Sequence, residues 1–161
     1  MPALVRSRDE QLSRQVDAGD APPLELLAFS LAGELYGVPL GKIREILSPP
    51  PITEVPRAPP DVIGVCSVRG LLVTVIDLRR CLGVEEHPST RRTRILLTQI
   101  ESGETVGLLV DDVKQVIRMA ESELELASSV LGGDVSEHVV GIGRPPGMEV
   151  VLLDLSSVIR G

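Results

Sequence analysis

Aromatic side chains are almost missing from this chain of 161 residues: there is no tryptophan, and Phe29 and Tyr36 are the only phenyl rings. That shortage removes the stacking platforms on which single-stranded nucleic acid is bound. Positive charge is also short, with 16 Lys and Arg against 23 Asp and Glu and a net charge of −7. Nucleic-acid binding rests on cations that neutralise phosphates, so nucleic acid is excluded as a partner. No apolar run reaches the ~18 residues of a membrane span, and the charged start lacks the apolar stretch of a secretory signal. Cys66 and Cys81 form no CxxC pair, which predicts two reduced thiols in a cytoplasmic protein. His87 and His138 have no ligand at zinc spacing, and Ser67, Ser128 and Ser129 lack a GxSxG context. No metal, cofactor or catalytic nucleophile is expected.

What the chain does have is a repeat. Gly64 to Leu78 reads GVCSVRGLLVTVIDL, and Gly141 to Leu155 reads GIGRPPGMEVVLLDL, with five of fifteen positions identical. A second pair lies upstream, GELYGVPLGKIREIL from Gly33 to Leu47 and GETVGLLVDDVKQVI from Gly103 to Ile117. The offsets, 77 and 70 residues, differ by an insertion expected around Ser128 to Asp134. Self-similarity of this kind means two copies of one small fold. Units of about 65 residues bury only about 60% of their unfolded surface, so the two are expected to pack on one another.

Valine, isoleucine and leucine, which suit pleated strands, dominate both copies. Residues 1–23 lack hydrophobic periodicity and read as a tail. LELLAFSLA and GELYGVPL form a hairpin, and KIREIL is a helical turn or a third strand. Pro49 to Pro60 is a stiff surface connection, since proline lacks the donor a central strand needs. DVIGVCSV and LLVTVI flank a turn at Arg69-Gly70, and Asp77 caps a short helix in DLRRCLG. Glu85 to Arg92 is a polar junction. TRILLTQI and ETVGLLV repeat the hairpin, followed by DDVKQVIRM and the acidic ESELELA. HVVGIGR, a turn at Pro145-Pro146-Gly147, EVVLL and a helix from Asp154 to Ile159 close the chain. Short strands with Gly and Pro turns at regular spacing predict an all-β barrel or sandwich.

Asp77 and Asp154, one per repeat after an aliphatic strand, have the arrangement of an acid-protease dyad. That site needs a small hydroxyl residue and a glycine after each Asp; here Leu78-Arg79 and Leu155-Ser156 follow, and helix N-capping explains the equivalence. Asp111-Asp112 and Glu121, Glu123, Glu125 read as a solvated acidic face. Arg69 at a hairpin tip, with Glu45 as the opposite charge in the same half, is either an ordinary exposed pair or a recognition element.

GVPLGKIREILSPPPITEVPRAPPDVIGVCSVRGLLVTVIDLRRCLG, together with TRILL, VGLLVDDVKQVI and VVLLDLSSVI, resembles the CheW-like domain of bacterial chemotaxis adaptors over residues 24–161. Ser67, Val68 and Thr74 depart from that pattern. The resemblance implies two small five-stranded β-barrels packed as an internal pseudo-repeat with short helical turns, divided as 24–90 and 91–161. It implies a non-enzymatic scaffold coupling chemoreceptors to a CheA-type histidine kinase, at receptor arrays under the inner membrane. The receptor's cytoplasmic tip would dock against Ile43, Glu45, Gly64, Arg69 and Gly70 from the first half and Gly107, Val116 and Gly141 from the second. The glycines would let a helix approach closely, and the aliphatics would take its apolar stripe. The kinase's regulatory domain would bind at a barrel end not assigned from sequence. The rival readings are the same adaptor in a pathway controlling pili or gene expression, and the acid protease.

Overall fold

The computed structural model describes residues 22–127 and 137–160. The expected tail and the insertion at Ser128 to Asp134 lie outside the described residues, the tail apart from residues 22 and 23. Eleven strands follow one another among the described residues: β1 Leu24–Leu31, β2 Glu34–Pro39, β3 Ile43–Leu47, β4 Val62–Val68, β5 Leu71–Asp77, β6 Arg94–Gln99, β7 Thr105–Val110, β8 Asp112–Met119, β9 Leu124–Leu126, β10 Val139–Gly143 and β11 Val150–Leu153. Helix α1, Leu78–Leu82, follows β5, and α2, Leu155–Arg160, follows β11. KIREIL divides its two expectations, a 3-10 turn at Leu40–Lys42 and then strand β3.

The strands form two sheets, ordered β8-β1-β2-β11-β10-β9 and β3-β6-β7-β5-β4. The two orders are the same path through the repeat, with β1, β2, β8, β10 and β11 matching β6, β7, β3, β4 and β5. Even the bulges coincide. Arg44 is left unpaired between Ile43 and Glu45 on β3, and Lys114 between the partners of Ala28 and Phe29 on β8. The parallel pairings match as well, Thr74 against Val106 in one sheet and Val151 against Tyr36 in the other.

The division at residues 24–90 and 91–161 marks the sequence repeat but not the sheets. The six-stranded sheet takes β1 and β2 from the first half, and the five-stranded sheet takes β6 and β7 from the second. The halves have exchanged their first hairpins. Closure is also looser than in a ladder-closed barrel, because the end strands of each sheet share no ladder among the described residues. The sixth strand, β9, has a reduced counterpart in the first repeat: Thr53 alone bridges β4, at Val65. The prolines around Thr53 have no N–H to extend that bridge, whereas ESELELA does.

Exchange puts the largest core between the sheets. Leu27, Phe29, Leu31, Tyr36, Val38 and Leu153 meet Ile76, Leu96, Val106 and Leu108 there, while smaller clusters fill each sheet's own interior. On β5, Val73 and Val75 face the interior and Ile76 the inter-sheet core, which is why LLVTVI is apolar without alternation. Phe29 and Tyr36 are cross-strand partners with rings stacked at 6.5 Å. Phe29 is fully buried, worth about 1.5–3 kcal/mol, and burial raises the Tyr36 hydroxyl above its ordinary pKa.

A buried ionic network ties the sheets. Arg79 on α1 donates from Nε to Asp77 Oδ1 at 3.0 Å, from Nη2 to Asp77 Oδ2 at 2.9 Å and from Nη1 to Asp111 Oδ1 at 3.1 Å. Asp111 Oδ2 accepts the Ala32 N–H at 2.8 Å and lies 3.0 Å from His87 Nε2. Asp77 closes β5 of one sheet, Ala32 turns β1 into β2 of the other, and Asp111 sits where the chain crosses between them. Only the Asp112 part of the expected solvated pair is right. Asp111 is 9% exposed, because a crossover residue faces both sheets.

Candidate protein-binding site

The β4–β5 hairpin turns at Val68-Arg69-Gly70-Leu71. Arg69 has φ 51° and Gly70 φ 84°, the double positive pattern that matches strand twist in a two-residue turn. Positive φ crowds an L side chain, so Arg69 is held there at a cost of about 1–2 kcal/mol. Its side chain reaches β3, at the opposite end of the sheet order. Nη1 donates to Glu45 Oε2 at 3.1 Å and Nη2 to Glu45 Oε1, a two-pronged pair that joins the open ends of the five-stranded sheet. The guanidinium's hydrogen bonds hold the Glu45 carboxyl below its usual range and raise Arg69 in turn. Sequence placed these two residues in one half, and the structure brings them into contact.

Beneath the pair is a groove of ≈ 200 Å³ floored by Val68, Val73 and Leu97, with Leu71, Arg44 and Gln99 at its rim. Leu71 and Leu72 are 66% and 73% exposed. Their exposure follows from register: the parallel partner β7 begins pairing at Thr74, so the tip of β5 overhangs it. Neither leucine was singled out from sequence. The available signal was a pair of leucines directly after a turn with positive φ.

Ile43 opens β3, half-buried against the inter-sheet core. Glu45, Gly107 and Gly64 share one cross-strand row of the five-stranded sheet, through Leu97 and Val75. Val116 and Gly141 belong to the other sheet. Val116 is 47% exposed, as is its repeat counterpart Ile46 at 42%. Gly70 has open space where a side chain would stand.

The remaining glycines make room for neighbouring parts of the chain itself. A Cβ on Gly64 would overlap the Thr53 carbonyl oxygen and sit 2.8 Å from Ile52 Cγ2. On Gly141 it would overlap the Glu125 carbonyl oxygen, and on Gly107 it would lie 2.7 Å from Ile95 Cγ2. The space these glycines leave is filled by their own chain. Gly64 and Gly141 let the Thr53 segment and β9 cross their sheets, and Gly107 makes room for the Ile95 side chain.

Asp77 Oδ1 accepts the Arg79 N–H at 2.9 Å and Asp154 Oδ1 the Ser156 N–H at 3.1 Å. Both carboxylates cap helices, as expected, and Asp77 is further taken by Arg79. His138 Nδ1 lies 2.7 Å from Ser157 Oγ, and His87 is bound to Asp111. Cys66 and Cys81 are free thiols, and no group of three metal-ligating side chains is assembled among the described residues.

The sequence profile of the CheW-like domain matches residues 25–161. The chain belongs to the CheW-like domain family. It is 29% identical over 134 residues to the chemotaxis protein CheW of Rhizobium meliloti (strain 1021), covering 83% of this chain and 86% of that one. It is likewise 29% identical over 135 residues to the chemotaxis protein CheW of Bacillus subtilis (strain 168), covering 84% and 86%. The crystal structure of the scaffolding protein TtCheW from Thermoanaerobacter tengcongensis superposes with a TM-score of 0.77 at 28% identity, covering 86% of this chain and 94% of that one. The CheW-like domain is a chemotaxis adaptor, of the kind that couples receptors to a CheA-type kinase, and not an enzyme. No helix among the described residues is long and apolar enough to cross a membrane.

Proposed function

We propose that the chemoreceptor's helical tip seats on the Arg69 hairpin of this CheW-like domain while the kinase's regulatory domain binds elsewhere on it. The observation that carries this is the exposed Glu45–Arg69 pair set over an apolar groove, with Leu71 uncovered beside it. An amphipathic helix needs an apolar strip for its buried stripe and fixed charges to set its orientation. Ile46 and Val116 are also exposed at equivalent positions on edge strands β3 and β8, on the strand face opposite Glu45 and its counterpart. The same reading puts the chain in the cytoplasm, at receptor arrays under the inner membrane.

The test is titration calorimetry against the receptor tip and against the regulatory domain of the kinase encoded nearest. Arg69→Ala is expected to weaken receptor binding by roughly tenfold or more while the fold persists, since arginine anchors dominate such contacts. The double variant Glu45→Arg with Arg69→Glu restores an internal pair with the charges exchanged. Recovery of receptor binding in that variant refutes direct recognition by Arg69 and leaves the pair as a clasp. Continued loss supports the proposal.

A further inference from the structure

Among the described residues, three other than glycine hold positive φ: Ala32 at 52°, Arg57 at 64° and Arg69 at 51°. Such conformations persist only where something compensates for them. For Ala32 it is the N–H bond to Asp111, and for Arg69 the pair with Glu45. Arg57 has no such partner. Its turn is closed by the Ala58 N–H on the Val55 carbonyl at 3.3 Å, with Pro56 ahead of it in the position proline favours. Arg57 then fills the position a type II turn gives to glycine or asparagine. Its guanidinium makes no hydrogen bond or ion pair among the described residues, whereas Arg44, Arg69, Arg79, Arg80, Arg118 and Arg144 all do; the Arg91 guanidinium makes none either, but Arg91 does not hold positive φ.

The turn is stiffly mounted. Thr53 and Val65 exchange two backbone hydrogen bonds of 2.8 Å on one side, and the Val62 N–H reaches the Pro59 carbonyl at 3.0 Å on the other. Val55, next to it, is 42% exposed. The connection returns to the start of β4, and Arg69 stands at that strand's far end. At ~3.3 Å per residue, the two arginines mark ends of the sheet roughly 20 Å apart.

We propose that Arg57 is a second recognition residue, which binds a carboxylate on the kinase's regulatory domain at the end of the five-stranded sheet opposite Arg69. This rests on the adaptor reading above. An adaptor holding two proteins at once needs seats that do not overlap, and this end offers a rigid, unpaired, forked donor suited to a carboxylate. Arg57→Asn relieves the turn and removes the fork; Arg57→Lys keeps the charge alone.

The experiment measures melting temperature, affinity for the regulatory domain at two salt concentrations, and affinity for the receptor tip. Arg57→Asn is expected to melt about 1–4 °C higher, as relief of a strained turn implies for a chain of this size. It should bind the regulatory domain roughly fivefold or more weakly with a flatter salt dependence, Arg57→Lys falling between, and bind the receptor tip as wild type does. Unchanged affinity for the regulatory domain overturns the proposal and leaves the adaptor reading standing. A loss confined to the receptor tip overturns the choice of partner. A lower melting temperature shows that the chain itself rewards Arg57 and removes the premise. If the wild type binds neither protein, the adaptor reading fails and the proposal with it.

Discussion

Arg79→Ala tests whether the buried network sets the two sheets together. The arginine side chain is 8% exposed, its partner Asp77 2% and Asp111 10%. Its hydrogen bonds to Asp77 are the main reason its own proton is held more tightly than usual. Truncation leaves two carboxylates around a void, with only the half-exposed Arg80 Nε at 4.0 Å as a side-chain partner for Asp77 and only His87 for Asp111. Removing one partner from a buried pair costs about 3–5 kcal/mol, a large part of the 5–15 kcal/mol that typically holds a domain folded. At about 2–4 °C per kcal/mol for a chain of this length, the expected fall in melting temperature is roughly 6–20 °C. The chain has no tryptophan, so far-UV circular dichroism under heat and urea is the suitable readout. The internal control is Glu25→Gln, which opens the exposed 3.0 Å pair with Arg118 and should cost about 0.5 kcal/mol or less. A cycle with Asp111→Ala isolates the contact between sheets. Once Asp111 is gone, Arg79→Ala should cost less, with a coupling of about 0.5–3 kcal/mol. If Arg79→Ala costs no more than the exposed control, the network does not hold the sheets and the reasoning from burial is wrong.

The glycines give an ordering that needs no absolute scale. Gly64→Ala and Gly141→Ala force a Cβ onto a backbone carbonyl and should abolish folding or lower the melting temperature severely, while Gly70→Ala meets open space and should cost only about 1–2 kcal/mol for its positive φ. A Gly64→Ala protein that melts like wild type and loses only receptor binding would mean this glycine does contact the partner. Cys81 should be nearly inert. Burial first, then the charge and hydrogen bond of Asp61, push its thiol up to about 12, so at pH 8 the thiolate fraction is on the order of 10⁻⁴. Labelling with a disulfide reagent at pH 8 should run roughly a thousandfold slower than for an ordinary thiol, and a rate typical of a free cysteine would contradict the packing around α1.

Local chemistry was legible in the sequence and long-range pairing was not. The Arg69-Gly70 turn, the caps at Asp77 and Asp154 and the proline-bounded connection each depend on a few adjacent residues, and each stands where the sequence puts it. The repeat announced two copies of one fold. It did not say which copy's strands pair, because Val106 and Tyr36 lie in equivalent apolar strands that suit either partner. Asp111 was misread for a related reason. Side by side with Asp112 it looks solvated, and only the crossover buries it, whereas Asp112 remains at the surface and is held below the usual carboxylate range by Lys114. The close contacts beside Gly64, Gly107 and Gly141 were not legible either, because a sequence cannot show what part of its own chain lies against a glycine.

The exchange of hairpins also bears on how a duplicated fold comes to have two inequivalent ends. Each half depends on the other for the strands beside its central hairpin, so the framework of both sheets is constrained alike, and bulges, caps and parallel registers match. The loops are not so constrained, and there the halves diverge. Where the first has Arg69 and the bare Leu71 and Leu72, the second has Pro146, a half-buried Met148 against its own core and a Glu149 paired with Arg144. Arg144 also pairs with Glu125 of β9, so the second tip is satisfied by its own neighbours. The first tip leaves its leucines open, and its connection leaves Arg57 without a partner. A shared framework with one closed tip and one open tip fits a protein that must present different surfaces to different partners, and it puts the search for specificity in the β4–β5 turn and the proline connection.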